Sequence, residues 1–116
     1  MIKQLTSDKL KDHIKNNPSS LLLDVRTPEE WKQDGKPDGE KIGIKTIFLT
    51  ILDDSFAEEF KKLNIKNDKE ILVMCMSGAR SHAAAQLLVN EDYRCINIVD
   101  GILGWKNNNL PVKFVE

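Results

Sequence analysis

The stretch Ile71 to Val89, ILVMCMSGARSHAAAQLLV, decides how the chain folds. Four apolar residues, Ile71 to Met74, run without a polar break, as in a strand buried on both faces. A short loop follows, Cys75-Met76-Ser77-Gly78-Ala79-Arg80. From Ser81 through His82 to Val89 the residues read as a helix, with Ala83, Ala84, Leu87 and Leu88 on its buried side. The first amides of a helix have no partner within it, and the macrodipole places partial positive charge there. A cysteine loop that feeds a helix start therefore favours a thiolate, or an anion carried on it. Cys75 is the candidate nucleophile.

The rest of the chain repeats the same alternation. Upstream, Leu21-Leu22-Leu23-Asp24-Val25 is a second buried strand, and Ile42 to Leu49 contains a third. Downstream, Cys95 to Val99 is another, while Ile2 to Leu5 suits a short edge strand. Thr6 or Ser7 caps a first helix whose Leu10 and Ile14 share a face. In Thr27-Pro28-Glu29-Glu30, threonine caps, proline takes the first helical position and Glu30 completes a capping box. Capping is role enough for Glu30, and Trp31 packs this short helix on the sheet. Ser55 to Glu58 offers a second capping box, with Phe56, Phe60 and Leu63 facing inward and Glu58 paired to Lys62. Ile102 to Trp105 starts a last short helix that Leu110-Pro111 ends, and Asp34 to Lys41 is the least structured segment. Strands alternating with helices imply one α/β domain over residues 1–116, with a mostly parallel sheet of about five strands flanked by helices.

Composition narrows the function. The 116 residues carry a net charge of −1 with lysine and glutamate interleaved, which leaves no basic footprint for nucleic acid. No apolar run approaches twenty residues, no lysine block flanks an apolar helix face, and Met1 to Leu5 is not a secretory signal. A cytoplasmic protein without membrane or nucleic-acid partners is expected. Two cysteines, no CxxC and two histidines argue against a structural metal site.

Within the loop, Gly78 allows the chain to curl until successive amides point inward, and Ser77 adds a hydroxyl donor. Arg80 opposes the macrodipole at a helix start, so local helix stability does not explain it. An arginine folded over an anionic loop does, and would depress the thiolate pKa. His82 reads as exposed, and His13 as a surface or boundary residue with no role. If the two strands are parallel, Cys75 leaves one end of the sheet and Cys95 enters at the other, roughly 13 Å away. A disulfide spans at most about 7 Å between Cα atoms, so Cys95 is a small core residue.

Three segments together resemble the rhodanese-like sulfurtransferase family, in its single-domain form. They are Leu22-Leu-Asp-Val-Arg-Thr-Pro-Glu-Glu-Trp31, Cys75-Met-Ser-Gly-Ala-Arg-Ser81, and Val99-Asp-Gly-Ile-Leu-Gly-Trp105 with Leu110-Pro-Val112. The resemblance implies that Cys75 takes a sulfane sulfur from thiosulfate or a persulfide, and passes it to a thiol or to cyanide. No cofactor is required. It further implies that the backbone of Met76, Ser77, Gly78, Ala79 and Arg80, with Ser81 beside it, cradles the outer sulfur. Arg80 would fix the loop and the anion, Asp24 and Arg26 would buttress the site, and Trp105 would pack.

Two departures qualify the likeness. Many members carry Gly-His-Ile-x-Gly-Ala where this chain has Gly39-Glu-Lys-Ile-Gly-Ile44, so Glu40 replaces the histidine. The second loop residue is Met76 and Arg80 is the one cation of the loop, which favours a persulfide over thiosulfate. Two other functions compete. Cysteine phosphatases and arsenate reductases set five residues between Cys and Arg, whereas this chain has four, Met76 to Ala79. A non-catalytic binding module would need neither Cys75 nor Arg80.

Overall fold

The structure, a computed structural model, describes residues 2–51 and 55–114. Five strands form one parallel sheet: β1 (Lys3–Leu5), β2 (Leu21–Asp24), β4 (Lys45–Phe48), β5 (Glu70–Met74) and β6 (Arg94–Ile98). Their spatial order is β1-β6-β5-β2-β4. A separate antiparallel pair joins β3 (Lys36–Pro37) to β7 (Val112–Lys113). That pair and a 3-10 turn over Gly39–Ile42 give structure to the segment expected to have least.

Side chains alternate across the sheet, and each face meets its own helices. Leu23, Ile71, Val73 and Cys95 pack with Phe56 and Phe60 of α3 (Phe56–Lys61) and with Ala84, Ala85 and Leu88 of α4 (Ala79–Val89). On the other face, Leu22, Leu72, Met74, Ile96 and Ile98 meet Leu10 and Ile14 of α1 (Leu10–Asn16). Ile102 and Trp105 of α5 (Gly101–Asn107) complete that face. Two covered faces explain why β2 and the Ile71–Met74 run of β5 are uninterruptedly apolar up to Asp24.

α2 (Pro28–Asp34) starts as its sequence requires, with the reciprocal Thr27–Glu30 capping box formed. Trp31 meets Phe48 of β4 edge-on, with ring centroids 5.4 Å apart. Several details differ from expectation. The buried face of α4 is Ser81, Ala84, Ala85 and Leu88, while Ala83 faces solvent. Because Ser81 is itself buried, the i, i+3, i+4, i+7 stripe begins there and passes Ala83 by. Leu63 lies beyond the end of α3 and is 44% exposed. Ser55 has helical backbone angles, φ −72° and ψ −10°, not the extended ones of a capping-box residue. On that helix Glu58 pairs with Lys61 at 3.8 Å, and Glu59 with Lys62 at 3.0 Å. His13 is a boundary residue with a partner, its Nε2 lying 2.5 Å from Glu70 Oε1.

Candidate active-site loop

Parallel strands place all their C-terminal ends on one edge, and the loop from Cys75 to Gly78 rises from that edge between β5 and α4. Its shape is enforced from outside. Ile102 N–H, at the start of α5, donates to Cys75 O (2.9 Å), and Leu103 N–H donates to Met76 O (3.4 Å). With its carbonyls drawn towards α5, the loop turns amides towards the sulfur. Gly78 N–H donates to Cys75 Sγ at 3.1 Å.

Gly78 is indispensable to this turn. Its φ is +104°, and a Cβ there would lie 2.4 Å from Val99 O. Gly101 is equally constrained: at φ +55° its Cβ would meet Cys75 O at 2.4 Å. The glycines of the Cys75 and Val99 segments are thus complementary, each admitting the other's backbone.

Burial pushes the Cys75 thiol up, but hydrogen bonds outweigh it and the net displacement is downward. The Ser81 hydroxyl, then the amides of Ser81, Gly78 and Ser77, favour the thiolate. Cys95 is the opposite case. It pairs with Ile71 at the far end of the strands, is free, and burial alone pushes it up to about 12.

Arg80 reaches from the start of α4 to α2. Its Nη1 and Nη2 donate to Glu30 Oε1 and Oε2 at 2.5 and 2.7 Å, a fork-to-fork pair across 50 residues of sequence. Arg80 holds the Glu30 carboxyl down at about 2, with burial opposing and the Thr27 amide assisting. Glu30 therefore both caps α2 and ties it to the start of α4, which the capping-box reading did not foresee. A cation placed against the macrodipole was the sequence signal, and its partner needed the fold.

Beneath the loop, Asp24 and Arg26 are fully buried. Arg26 Nε and Nη2 donate to the Asp24 carboxylate, and Nη2 also donates to Gly35 O at 2.8 Å. This pair spans the end of β2 and the end of α2. Asn97 is a further buried polar residue, on the β6 face that meets α4, and it touches both Ser81 and Gly78. A lone amide in the apolar run Cys95-Ile-Asn-Ile-Val was visible in the sequence, but its neighbours were not. His82 is exposed, with Nδ1 3.4 Å from Gln4 Nε2. Glu40 is exposed in its 3-10 turn, and Trp105 is buried with Nε1–H donating to Pro111 O at 2.8 Å. Among the described residues, no group of acidic, cysteine and histidine side chains is arranged to hold a metal ion.

One family model, that of the rhodanese-like domain, matches this chain over residues 6–108. The chain belongs to the rhodanese-like family. A protein of Rickettsia prowazekii described as uncharacterized is 39% identical over 98% of this rhodanese-like chain and 99% of its own length. A sulfurtransferase of Allochromatium vinosum is 28% identical, over 97% of this chain and 95% of its own. Among solved structures, the polysulfide-sulfur transferase homodimer of Wolinella succinogenes superposes with a TM-score of 0.78 at 23% identity. That match covers 99% of this chain and 80% of the other, and the likeness is one of fold. No helix among the described residues is long and apolar enough to cross a membrane.

Proposed function

We propose that this rhodanese-like protein is a sulfurtransferase with Cys75 as its nucleophile. The Cys75 thiolate attacks the outer sulfur of a donor; a new S–S bond forms as the donor's bond to that sulfur breaks. The donor leaves as sulfite or a thiolate with the bonding pair. An acceptor thiolate or cyanide then attacks the outer sulfur of the Cys75 persulfide and restores the Cys75 thiolate. The observation that carries this reading is the Gly78 N–H donated to Sγ at 3.1 Å within a curled loop. Amides so placed stabilise a thiolate and then the anionic persulfide without rearrangement.

Donor preference follows from charge. Thiosulfate is a dianion, and the loop's one cation, Arg80, is already bound by both Glu30 oxygens. Cys75 is 1% exposed, which favours a donor that presents a single protruding sulfur. Val99 and Leu103, 40% and 50% exposed beside the loop, add an apolar rim. A persulfide on a small thiol or on a protein suits this mouth better than thiosulfate.

The test is intact-protein mass after incubation with thiosulfate or with a polysulfide, for native protein and Cys75→Ser. Gain of one sulfur atom from polysulfide by the native protein alone, removed by a thiol or cyanide, is the expected result. Loading from thiosulfate should be the slower. No gain from either donor overturns the sulfurtransferase reading in favour of a binding module.

A further inference from the structure

Asp100 directly precedes α5, where an aspartate ordinarily turns its carboxylate onto the second or third amide of its own helix. Here it does not. Both carboxylate oxygens accept from Ser7 N–H at 3.1 Å, and Oδ1 also accepts from the Ser7 hydroxyl at 2.9 Å. Ser7 stands 93 residues away in sequence, is 2% exposed, and begins the 3-10 turn Ser7–Lys9 that follows β1.

The amides that the carboxylate leaves alone are those of Ile102 and Leu103, the second and third of α5. They are the groups that hold the active-site loop, donating to Cys75 O at 2.9 Å and to Met76 O at 3.4 Å. A carboxylate capping α5 in the ordinary way would compete with those two neutral carbonyls, and an ionised acceptor is the stronger one. Space as well as bonding keeps it away. The carboxylate lies against Gly104, where a Cβ would come within 1.9 Å of Asp100 Oδ2 and 2.1 Å of Cγ. Gly104 is helical, and a helix interior disfavours glycine, so its missing side chain serves the carboxylate and not the backbone.

We propose that Ser7 and Gly104 are positioning residues that hold the Asp100 carboxylate off α5 and so reserve the Ile102 and Leu103 amides for the Cys75 loop. Val99 N–H, donating to Leu5 O at 3.0 Å, keeps this corner beside the N-terminal segment. If the carboxylate returned to α5, the Cys75 and Met76 carbonyls would lose their donors. The Gly78 N–H would then lose its place beside Sγ.

The inference rests on Cys75 being the reactive thiol, but its test uses no sulfur donor. Thiolate formation is followed by ultraviolet absorbance against pH in native protein, Gly104→Ala, Asp100→Gly and the double variant. Cys75→Ser supplies the baseline for Cys95 and Tyr93. Gly104→Ala drives the carboxylate off Ser7 and should weaken the acid dissociation of Cys75 about fivefold. Asp100→Gly loses the same bonds to Ser7 and should melt lower, yet titrate within about twofold of native protein. In the Asp100→Gly background, Gly104→Ala should change the titration by less than about twofold, because no carboxylate remains to be displaced. An unchanged acid in Gly104→Ala overturns the proposal, as does an undiminished effect of Gly104→Ala in the double variant. Asp100→Gly weakening Cys75 as much as Gly104→Ala also overturns it, since the Ser7 bonds would then be a plain clamp. Should Gly104→Ala fail to fold by circular dichroism, Ser7→Ala replaces it. That variant should weaken dissociation about twofold with Asp100 present and not without it, and a native titration overturns the proposal. Expected titrations without sulfur loading of the native protein would sink the sulfurtransferase reading and leave this one standing.

Discussion

Replacing Glu30 by Gln tests the tie between α2 and the active-site loop. Glutamine keeps the shape and an acceptor for the Thr27 N–H, now 3.2 Å from Glu30 Oε1, so the capping box survives while the charge is lost. The carboxyl lies at about 2 against an ordinary 4.5, first because Arg80 donates to it. Taken at face value, that displacement corresponds to about 3 kcal/mol. The Arg80 side chain is 38% exposed and that of Glu30 20%, and solvent screening brings the figure to about 1–2 kcal/mol. The native protein should therefore melt about 5–10 °C above Glu30→Gln at neutral pH. The sign of the pH dependence is fixed by the downward displacement. The pair's contribution is complete above the unfolded carboxyl's 4.5 and disappears as pH falls through about 2. Calorimetry of both proteins between those values should show the gap closing. A variant as stable as native protein at pH 7, or a gap that persists undiminished in acid, refutes the argument. Freed of its partner, Arg80 should also speed sulfur loading from thiosulfate relative to polysulfide, by the same mass assay.

Two more outcomes follow from the loop and its surroundings. With its thiol at about 12, Cys95 should resist iodoacetamide in the folded protein near pH 8 while Cys75 reacts, as read by peptide mass. In denaturant both should be modified. Gly78→Ala, strained at φ +104° and set against Val99 O at 2.4 Å, should lower stability by about 2 kcal/mol or more in urea unfolding. It should also shift the Cys75 thiolate titration upward, because the Gly78 N–H can no longer hold its place beside the sulfur.

The strand–loop–helix unit and the burial of its strand on both faces were legible in the amino-acid sequence, whereas strand register came from the fold. Ile71 to Met74 is uninterruptedly apolar because helices cover both faces, and that constraint is local enough to read along the chain. Capping by Thr27 and Glu30, and the core position of Cys95 far from Cys75, were legible for the same reason. Tertiary structure alone decided the partner of Arg80, since Glu30 stands 50 residues away and its local role already accounted for it. It also decided what Gly78 and Gly101 admit, namely each other's neighbouring backbone across the loop and α5. Asn97 shows the division within one residue. Its polarity in an apolar strand is written in the sequence, but which groups it bonds depends on three elements meeting at one point, because hydrogen bonds act only over the last few ångströms.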